Sequence, residues 1–329
     1  MFKIIKGVNP GIILLNIFIL LVLWISPLIF YQQQSFCFDN RPMPLYLILR
    51  NVAGTGQSGI ITALALILFV SYLLVHFNTV LFFIPERTSL PSVLYAFFTG
   101  YLINYQTLNP VIPASIFILL AFGRVIDAYH KNGTAFSFFD ASLLTGIGTL
   151  FYANLIWFCV ILVIGVIILR GYKVKEIILS IAGIPLPLLI TAGIYYIFSL
   201  DINRLIEDLG INLFEKCETY KFSTAELAVM AVGCAALLTG IIFVFQRIKN
   251  MKIRSRKIFI LLLWWCLLCI ALYFISPAVS AEIFYLAAIP SVYFITYYFI
   301  FSKSRVIPLV LFIDFIICSG AIQILQYLL

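Results

Sequence analysis

Long apolar stretches separated by short polar loops make up most of the chain. Runs long enough to cross the ~30 Å hydrocarbon core as helices cover about residues 10–30 and 58–80. Five later runs cover about residues 177–200, 225–245, 258–275, 281–301 and 306–328. Pro185 and Pro187 predict a kink in the first of these five. The pattern predicts an all-α, polytopic membrane protein.

Two pairs of shorter apolar segments lie between these runs. The first pair covers about residues 91–104 and 110–123, and the second covers 141–169 with a turn near Tyr152. Segments of about 14 residues, at 1.5 Å per residue, fall short of the hydrocarbon core. We therefore expect two helical hairpins that are buried against longer helices or that line a cavity.

The basic loops predict the orientation of the spans. Lys3 and Lys6 precede the first run, and six Lys and Arg residues lie in the loop 247–257. Loops rich in Lys and Arg face the cytoplasm. A count of about 11 spans, with the hairpin arms included, puts every basic-rich loop on that side. The expected topology has the amino terminus inside and the carboxyl terminus outside.

Composition excludes an ordinary soluble domain. Hydrophobic residues make up 64% and charged residues 10% of the 329 positions, against roughly 25% charged in soluble proteins. The 21 Lys and Arg residues lie between apolar spans rather than on one helix face, so we expect no nucleic-acid partner. No metal-ligand cluster or cofactor motif is present in the sequence. Cys37 and Cys217 both fall in segments expected outside, and a disulfide between them is one alternative.

The first outer segment, residues 31–57, carries the leading candidates for chemistry. Asp39 could act as a general base whose protonation is set by a neighbouring arginine. Arg41 and Arg50 could bind a phosphate or diphosphate through forked hydrogen bonds. The alternative is that residues 39–42 simply form a turn, which Asp, Asn and Pro favour. Residues 44–52 are expected to form a short helix at the membrane surface.

Two further acids fall within or beside apolar spans. Asp314 lies near the middle of the last span, where an ionisable group is costly and usually faces a partner or a water-filled cavity. It is either a proton-relay site or a carboxyl hydrogen-bonded to another helix. Glu282 begins the tenth span, where it is either an intramembrane polar site or a charge that favours a helix amino end.

The order of these parts resembles the GT-C superfamily of integral membrane glycosyltransferases. The resemblance lies in a first span, a long outer loop with the acid Asp39, a surface helix at 44–52, and short paired helices up to residue 200. The hairpin 139–152 also looks like a segment of a group of bacterial polytopic membrane proteins of unknown function. By this resemblance residues 1–200 form a seven-helix module, 201–224 an outer polar segment, and 225–329 a four-helix part.

The GT-C resemblance implies an enzyme of the bacterial inner membrane that takes a sugar from a polyprenyl-phosphate carrier at the outer face. Asp39 would then be catalytic, Arg41 and Arg50 would bind the carrier phosphate, and membrane lipid would be a partner. The Asp pair or Asp-Glu pair common in that family's loop is missing, which weighs against metal-dependent catalysis. Two alternatives remain: a non-catalytic subunit with membrane-protein partners, and a proton-coupled transporter or lipid flippase using Asp314.

Overall fold

A computed structural model describes residues 10–29, 36–54, 56–129, 135–217, 220, 222–304 and 306–328. The structure is 82% helical and has no strand in those ranges. The all-α prediction is confirmed. The basic residues Lys3 and Lys6 and residues 31–35 of the first outer segment lie outside the described part.

The helices follow the predicted runs closely, with one unpredicted addition. In chain order they are α1 Pro10–Leu23, α2 Ile25–Ile29, α3 Cys37–Asn40, α4 Pro44–Ala53, α5 Gln57–Leu81, α6 Leu90–Gly100, α7 Val111–Asp127, α8 Ala135–Thr149, α9 Cys159–Arg170, α10 Val174–Ala182, α11 Pro185–Ile197, α12 Ile202–Phe214, α13 Thr224–Arg247, α14 Ile253–Ile275, α15 Phe284–Phe301 and α16 Val306–Leu328. Four short 3₁₀ segments at Ile103–Tyr105, Ala153–Phe158, Ile248–Asn250 and Ala281–Ile283 complete the described helical structure.

Seven helical segments of the described chain are long and apolar enough to cross a membrane. They are Gln57–Leu81, Ala153–Arg170, Val174–Ile197, Thr224–Asn250, Ile253–Ile275, Ala281–Phe301 and Val306–Gln323. The chain is therefore a multi-pass membrane protein. The count of 11 and the direction of the termini remain predictions. The four other expected spans contain α1, α6, α7 and α8, each of which is shorter than 18 residues.

The segment Ala281–Phe301 is the centre of the bundle, and 83% of it is buried. Its helix α15 packs against α6, α7, α13 and α14. The other long helices are 28–50% buried, and their remaining surface is apolar. Apolar outer surfaces of this kind are suited to contact with lipid rather than water.

Local sequence signals account for the helix ends near the polar loops. Pro44 lies in the first turn of α4, where its missing N–H would have no helical partner. Gly54 ends that helix at φ 76°, which a glycine adopts without strain. Ser223 begins α13, where its hydroxyl accepts from the Glu226 amide and the Glu226 carboxylate accepts from the Ser223 amide.

The loops gather at two ends of the bundle. At the basic end, the Lys257 amine donates to the Leu169 carbonyl at 3.3 Å, and Arg247 donates to the Phe301 carbonyl at 2.9 Å. At the other end, the Leu45 amide donates to the Leu150 carbonyl at 3.1 Å. Segments that the sequence assigned to the same side thus touch one another. We call the end of the bundle at which Leu45 contacts Leu150 the cavity end, because a cavity described below opens there.

The segment 201–224 differs from expectation because it contains the helix α12. Asp201 caps its start by accepting from the Asn203 amide at 2.9 Å. Leu205 and Leu213 of α12 are buried, whereas Ile206 and Phe214 are exposed. The helix is amphipathic, and its buried face lies on the cavity end.

Candidate functional site

A polar cavity of about 360 Å³ opens at the cavity end. Its walls come from segments far apart in sequence, including the first outer segment, the turn between α8 and α9, α12, and the loop before α15. The polar residues that line it are Asn40, Arg41, Tyr46, Tyr152, Asn154, Asn212, Glu215, Lys216 and Glu282. Phe38, Met43, Phe151 and Ile211 supply apolar wall. This mixture of aromatic surface and a few polar groups is typical of a small-molecule site.

Glu282 is the buried carboxylate of this cavity, with only 3% of the residue exposed. Its Oε1 atom accepts from the Ser280 amide at 3.0 Å and from the Tyr152 hydroxyl at 3.3 Å. Its Oε2 atom is buried and has no hydrogen-bond partner among the described residues. A buried carboxylate oxygen without a partner is costly and calls for a ligand, a water molecule or a proton.

Tyr152 lies directly before the 3₁₀ segment Ala153–Phe158 and is itself 5% exposed. Burial raises the pKa of the Tyr152 phenol well above its ordinary value, and the Glu282 carboxylate beside it acts in the same direction. The phenol therefore stays protonated and donates a hydrogen bond to Glu282. Asn154, two residues later, donates to the Asn212 carbonyl at 2.9 Å, which joins the turn to α12.

Asp39, the predicted base, lies beside the cavity but is not among the residues that line it. Its carboxylate pairs with Arg50 at 3.0 Å and accepts from the Phe36 amide at 3.3 Å, which caps α3. Burial raises the pKa of the Asp39 carboxyl, against the opposing effects of Arg50 and that amide. Arg50 also donates to the Asp39 carbonyl at 3.5 Å and is likewise absent from the cavity lining.

Arg41, the other predicted phosphate ligand, does line the cavity. Its guanidinium pairs with Asp208 of α12 at 2.9 Å, while 41% of its side chain remains exposed. The Asn212 side chain donates to the Arg41 carbonyl at 2.7 Å. These contacts hold α12 against the first outer segment. An arginine has five donors, so its single bond to Asp208 leaves others for an anion.

Charged residues of both signs meet at the rim. Lys216 and Glu215 are exposed and follow α12 directly. Cys217, the next residue, is disulfide-bonded, and its amide donates to the Pro277 carbonyl at 3.0 Å. The side chain of Cys37, the expected partner, lies outside the described part. Across the described ranges, no three His, Cys, Asp or Glu side chains come together as metal ligands.

Asp314 is remote from the cavity, on the peripheral helix α16. It is half-buried, and its neighbours Ile313 and Ile316 are 42% and 45% exposed. No ion pair of Asp314 is found among the described residues. The structure therefore brings Arg41 and Glu282 together at the cavity, keeps Asp39 and Arg50 as a pair beside it, and separates Asp314 from all four.

A second, apolar cleft of about 120 Å³ lies between α6, α13, α14 and α15. Phe98, Met230, Leu237 and Ile270 contribute to its walls. Phe284 also lines the cleft, only two residues after Glu282 of the polar cavity. Residues 282–284 thus contribute to both the polar cavity and the apolar cleft.

Tyr152, Asn154, Asn212 and Lys216 were not identified as site residues from the sequence. The available signal was the leucine spacing of α12 at positions 205, 209 and 213, which places one helix face on the protein. No sequence feature ties that face to Glu282, which lies about 70 residues later and lines the same cavity only in the folded chain.

Comparisons with known proteins leave the family open. No protein-family model and no curated protein matches the chain. Among solved structures, the chain is similar to the oligosaccharyltransferase of Archaeoglobus fulgidus in the apo form, with 12% sequence identity and a TM-score of 0.44. The match covers 87% of this chain and 46% of that chain. The chain thus spans less than half the length of the archaeal enzyme.

Proposed function

We propose that the protein is a membrane glycosyltransferase of the bacterial inner membrane, which uses a polyprenyl-phosphate-linked sugar donor in the polar cavity at the outer face. The observation that carries the proposal is the meeting of a half-buried arginine, Arg41, and a buried carboxylate, Glu282, in one cavity at the end of an apolar bundle. The resemblance of the sequence to the GT-C superfamily points to the same reaction.

The cavity offers a suitable environment for each part of such a donor. Arg41 supplies fixed hydrogen-bond donors for a phosphate, and Lys216 adds positive charge at the rim. The rings of Phe38, Tyr46 and Phe151 offer apolar surface for a sugar ring. The apolar cleft that includes Phe284 suits an isoprenoid chain.

In transfer, the anomeric carbon of the sugar forms a bond to the acceptor oxygen while its bond to the phosphate oxygen breaks. The acceptor loses a proton to a carboxylate, and the polyprenyl phosphate leaves with the bonding electron pair. Arg41 and Lys216 stabilise the charge that develops on the phosphate. Two carboxylates are candidates for this base: Asp39, which was predicted from the sequence, and Glu282.

The test uses purified protein in lipid nanodiscs with a panel of polyprenyl-phosphate-linked hexoses that carry radiolabelled sugar. We expect time-dependent loss of label from the lipid phase for at least one donor, in the presence of a membrane extract that supplies acceptors. An absence of turnover for the whole panel would contradict the proposal. Binding of polyprenyl phosphate without turnover, with a membrane protein that co-purifies, would instead favour a non-catalytic subunit.

A further inference from the structure

The two candidate carboxylates differ in how their hydrogen bonds are distributed over the two oxygens and in whether they line the cavity. Each oxygen of Asp39 has one partner, Oδ1 the Arg50 guanidinium at 3.0 Å and Oδ2 the Phe36 amide at 3.3 Å, and Asp39 does not line the cavity. In Glu282 both donors bind the same oxygen, Oε1, and Oε2 has no partner among the described residues. A general base needs an oxygen that can reach the acceptor hydroxyl.

From this difference we infer that Glu282, rather than Asp39, is the catalytic base that accepts the acceptor proton, and that Tyr152 is the residue that positions it. The inference rests on the proposed function. The acceptor O–H bond breaks, its proton passes to the Glu282 carboxylate, and the acceptor oxygen bonds to the anomeric carbon as the carrier phosphate leaves. The proton is released to solvent through the open cavity before the next turnover.

The fold holds Glu282 rigidly enough for this role. The residue lies in the 3₁₀ segment Ala281–Ile283 that opens the central, 83% buried span of the bundle. The Ser280 amide fixes Oε1 from the same loop, and Tyr152 fixes it from the turn between α8 and α9. Two donors on Oε1 orient the carboxylate, and the buried Oε2 has no donor among the described residues.

Glu226 provides a matched control. It is also buried, with 5% exposed, lies in the first turn of a long helix, and accepts from a tyrosine hydroxyl, that of Tyr220, at 2.8 Å. Its second oxygen, however, accepts from the Ser223 amide at 2.9 Å, and Glu226 does not line the cavity. The Glu226→Gln variant therefore shows how far turnover falls when a buried glutamate outside the cavity loses its charge.

The experiment compares Glu282→Gln, Asp39→Asn and Glu226→Gln in the donor-turnover assay, with the affinity for polyprenyl phosphate measured in parallel. Glutamine retains an oxygen for Ser280 and Tyr152 but cannot accept a proton. We expect Glu282→Gln to lower kcat by about 10²–10⁴-fold with the Kd for polyprenyl phosphate unchanged. Glu226→Gln should turn over donor like the wild type. Asp39→Asn should keep at least a tenth of the wild-type kcat.

Each alternative outcome is distinct. Glu282→Gln with wild-type kcat, or a larger loss in Asp39→Asn than in Glu282→Gln, would overturn the inference while wild-type turnover still supports the proposed function. No turnover by the wild type would instead defeat the proposed function itself. If Glu282→Gln does not fold, Tyr152→Phe decides the question: we expect kcat to fall about tenfold with Kd unchanged, and an unchanged kcat would overturn the inference. In Glu282→Ala, added formate should restore part of the lost turnover, which a purely structural role would not allow.

Discussion

Replacement of Arg41 by glutamine should weaken the binding of polyprenyl phosphate. Two unit charges 4 Å apart interact by about 4 kcal/mol at an effective dielectric constant of about 20. Because 41% of the Arg41 side chain is exposed, solvent screening reduces this to roughly 1–2 kcal/mol. That energy corresponds to a Kd roughly 5–30-fold higher. Lys216→Gln, at the exposed rim, should raise Kd by less than about fivefold and mainly at low salt.

Binding can be measured by microscale thermophoresis of the protein in nanodiscs with a soluble, short-chain polyprenyl phosphate. Arg204→Gln is the matched control, because Arg204 also contacts Asp208, at 3.9 Å, but lies outside the cavity with 73% of its side chain exposed. It should bind like the wild type. An Arg41→Gln protein that binds polyprenyl phosphate as tightly as Arg204→Gln would refute the assignment of Arg41 to the phosphate.

Three further predictions address the fold and the remaining acids. Gly240→Ala should destabilise the protein by about 1–3 kcal/mol, because a Cβ there would lie 3.0 Å from the backbone of Phe294. In the control, Gly193→Ala, the new Cβ meets nothing within 4 Å, so this variant should be as stable as the wild type. Thermal unfolding in detergent compares the two variants. Asp314→Asn should leave donor turnover unchanged, and a pH-dependent uptake lost in this variant would favour the transport alternative. Burial raises the pKa of the Asp39 carboxyl above its ordinary 3.8, so folding favours the protonated form and the contribution of this group to stability falls as pH rises through that raised value. The melting temperature of Asp39→Asn relative to wild type should therefore be higher at pH 7 than at pH 4, and the opposite trend would contradict this assignment.

The apolar pattern predicted most of the helices because a membrane helix is set by local properties, its length and its hydrophobicity. The run 58–80 became Gln57–Leu81, and the surface helix 44–52 became Pro44–Ala53. The expected kink near Pro185 is a break between Ala182 and Pro185. Proline at that position has no amide hydrogen to continue the helix, so this feature is also local.

The site was predicted only in part, because it depends on contacts between distant segments. The sequence pointed to the outer segment and to Arg41, which lines the cavity, but not to the pairing of Asp39 with Arg50 beside it. Glu282 was noted as an acid at a span start, and a charge there is equally well explained by the helix dipole. The hydrogen bond that Glu282 accepts from Tyr152, 130 residues away in sequence, is a contact that no local pattern predicts.

The most direct measurement is the location of bound carrier on the protein. A polyprenyl phosphate with a photoreactive diazirine beside its phosphate can be crosslinked to the protein in nanodiscs, and the labelled peptides can be identified by mass spectrometry. The account predicts labels in peptides from residues 38–46, 151–154 and 211–217, which contain the residues that line the polar cavity, and loss of these labels with excess unlabelled carrier. Labels confined to the basic loop 247–257, or labels that excess carrier does not displace, would contradict it.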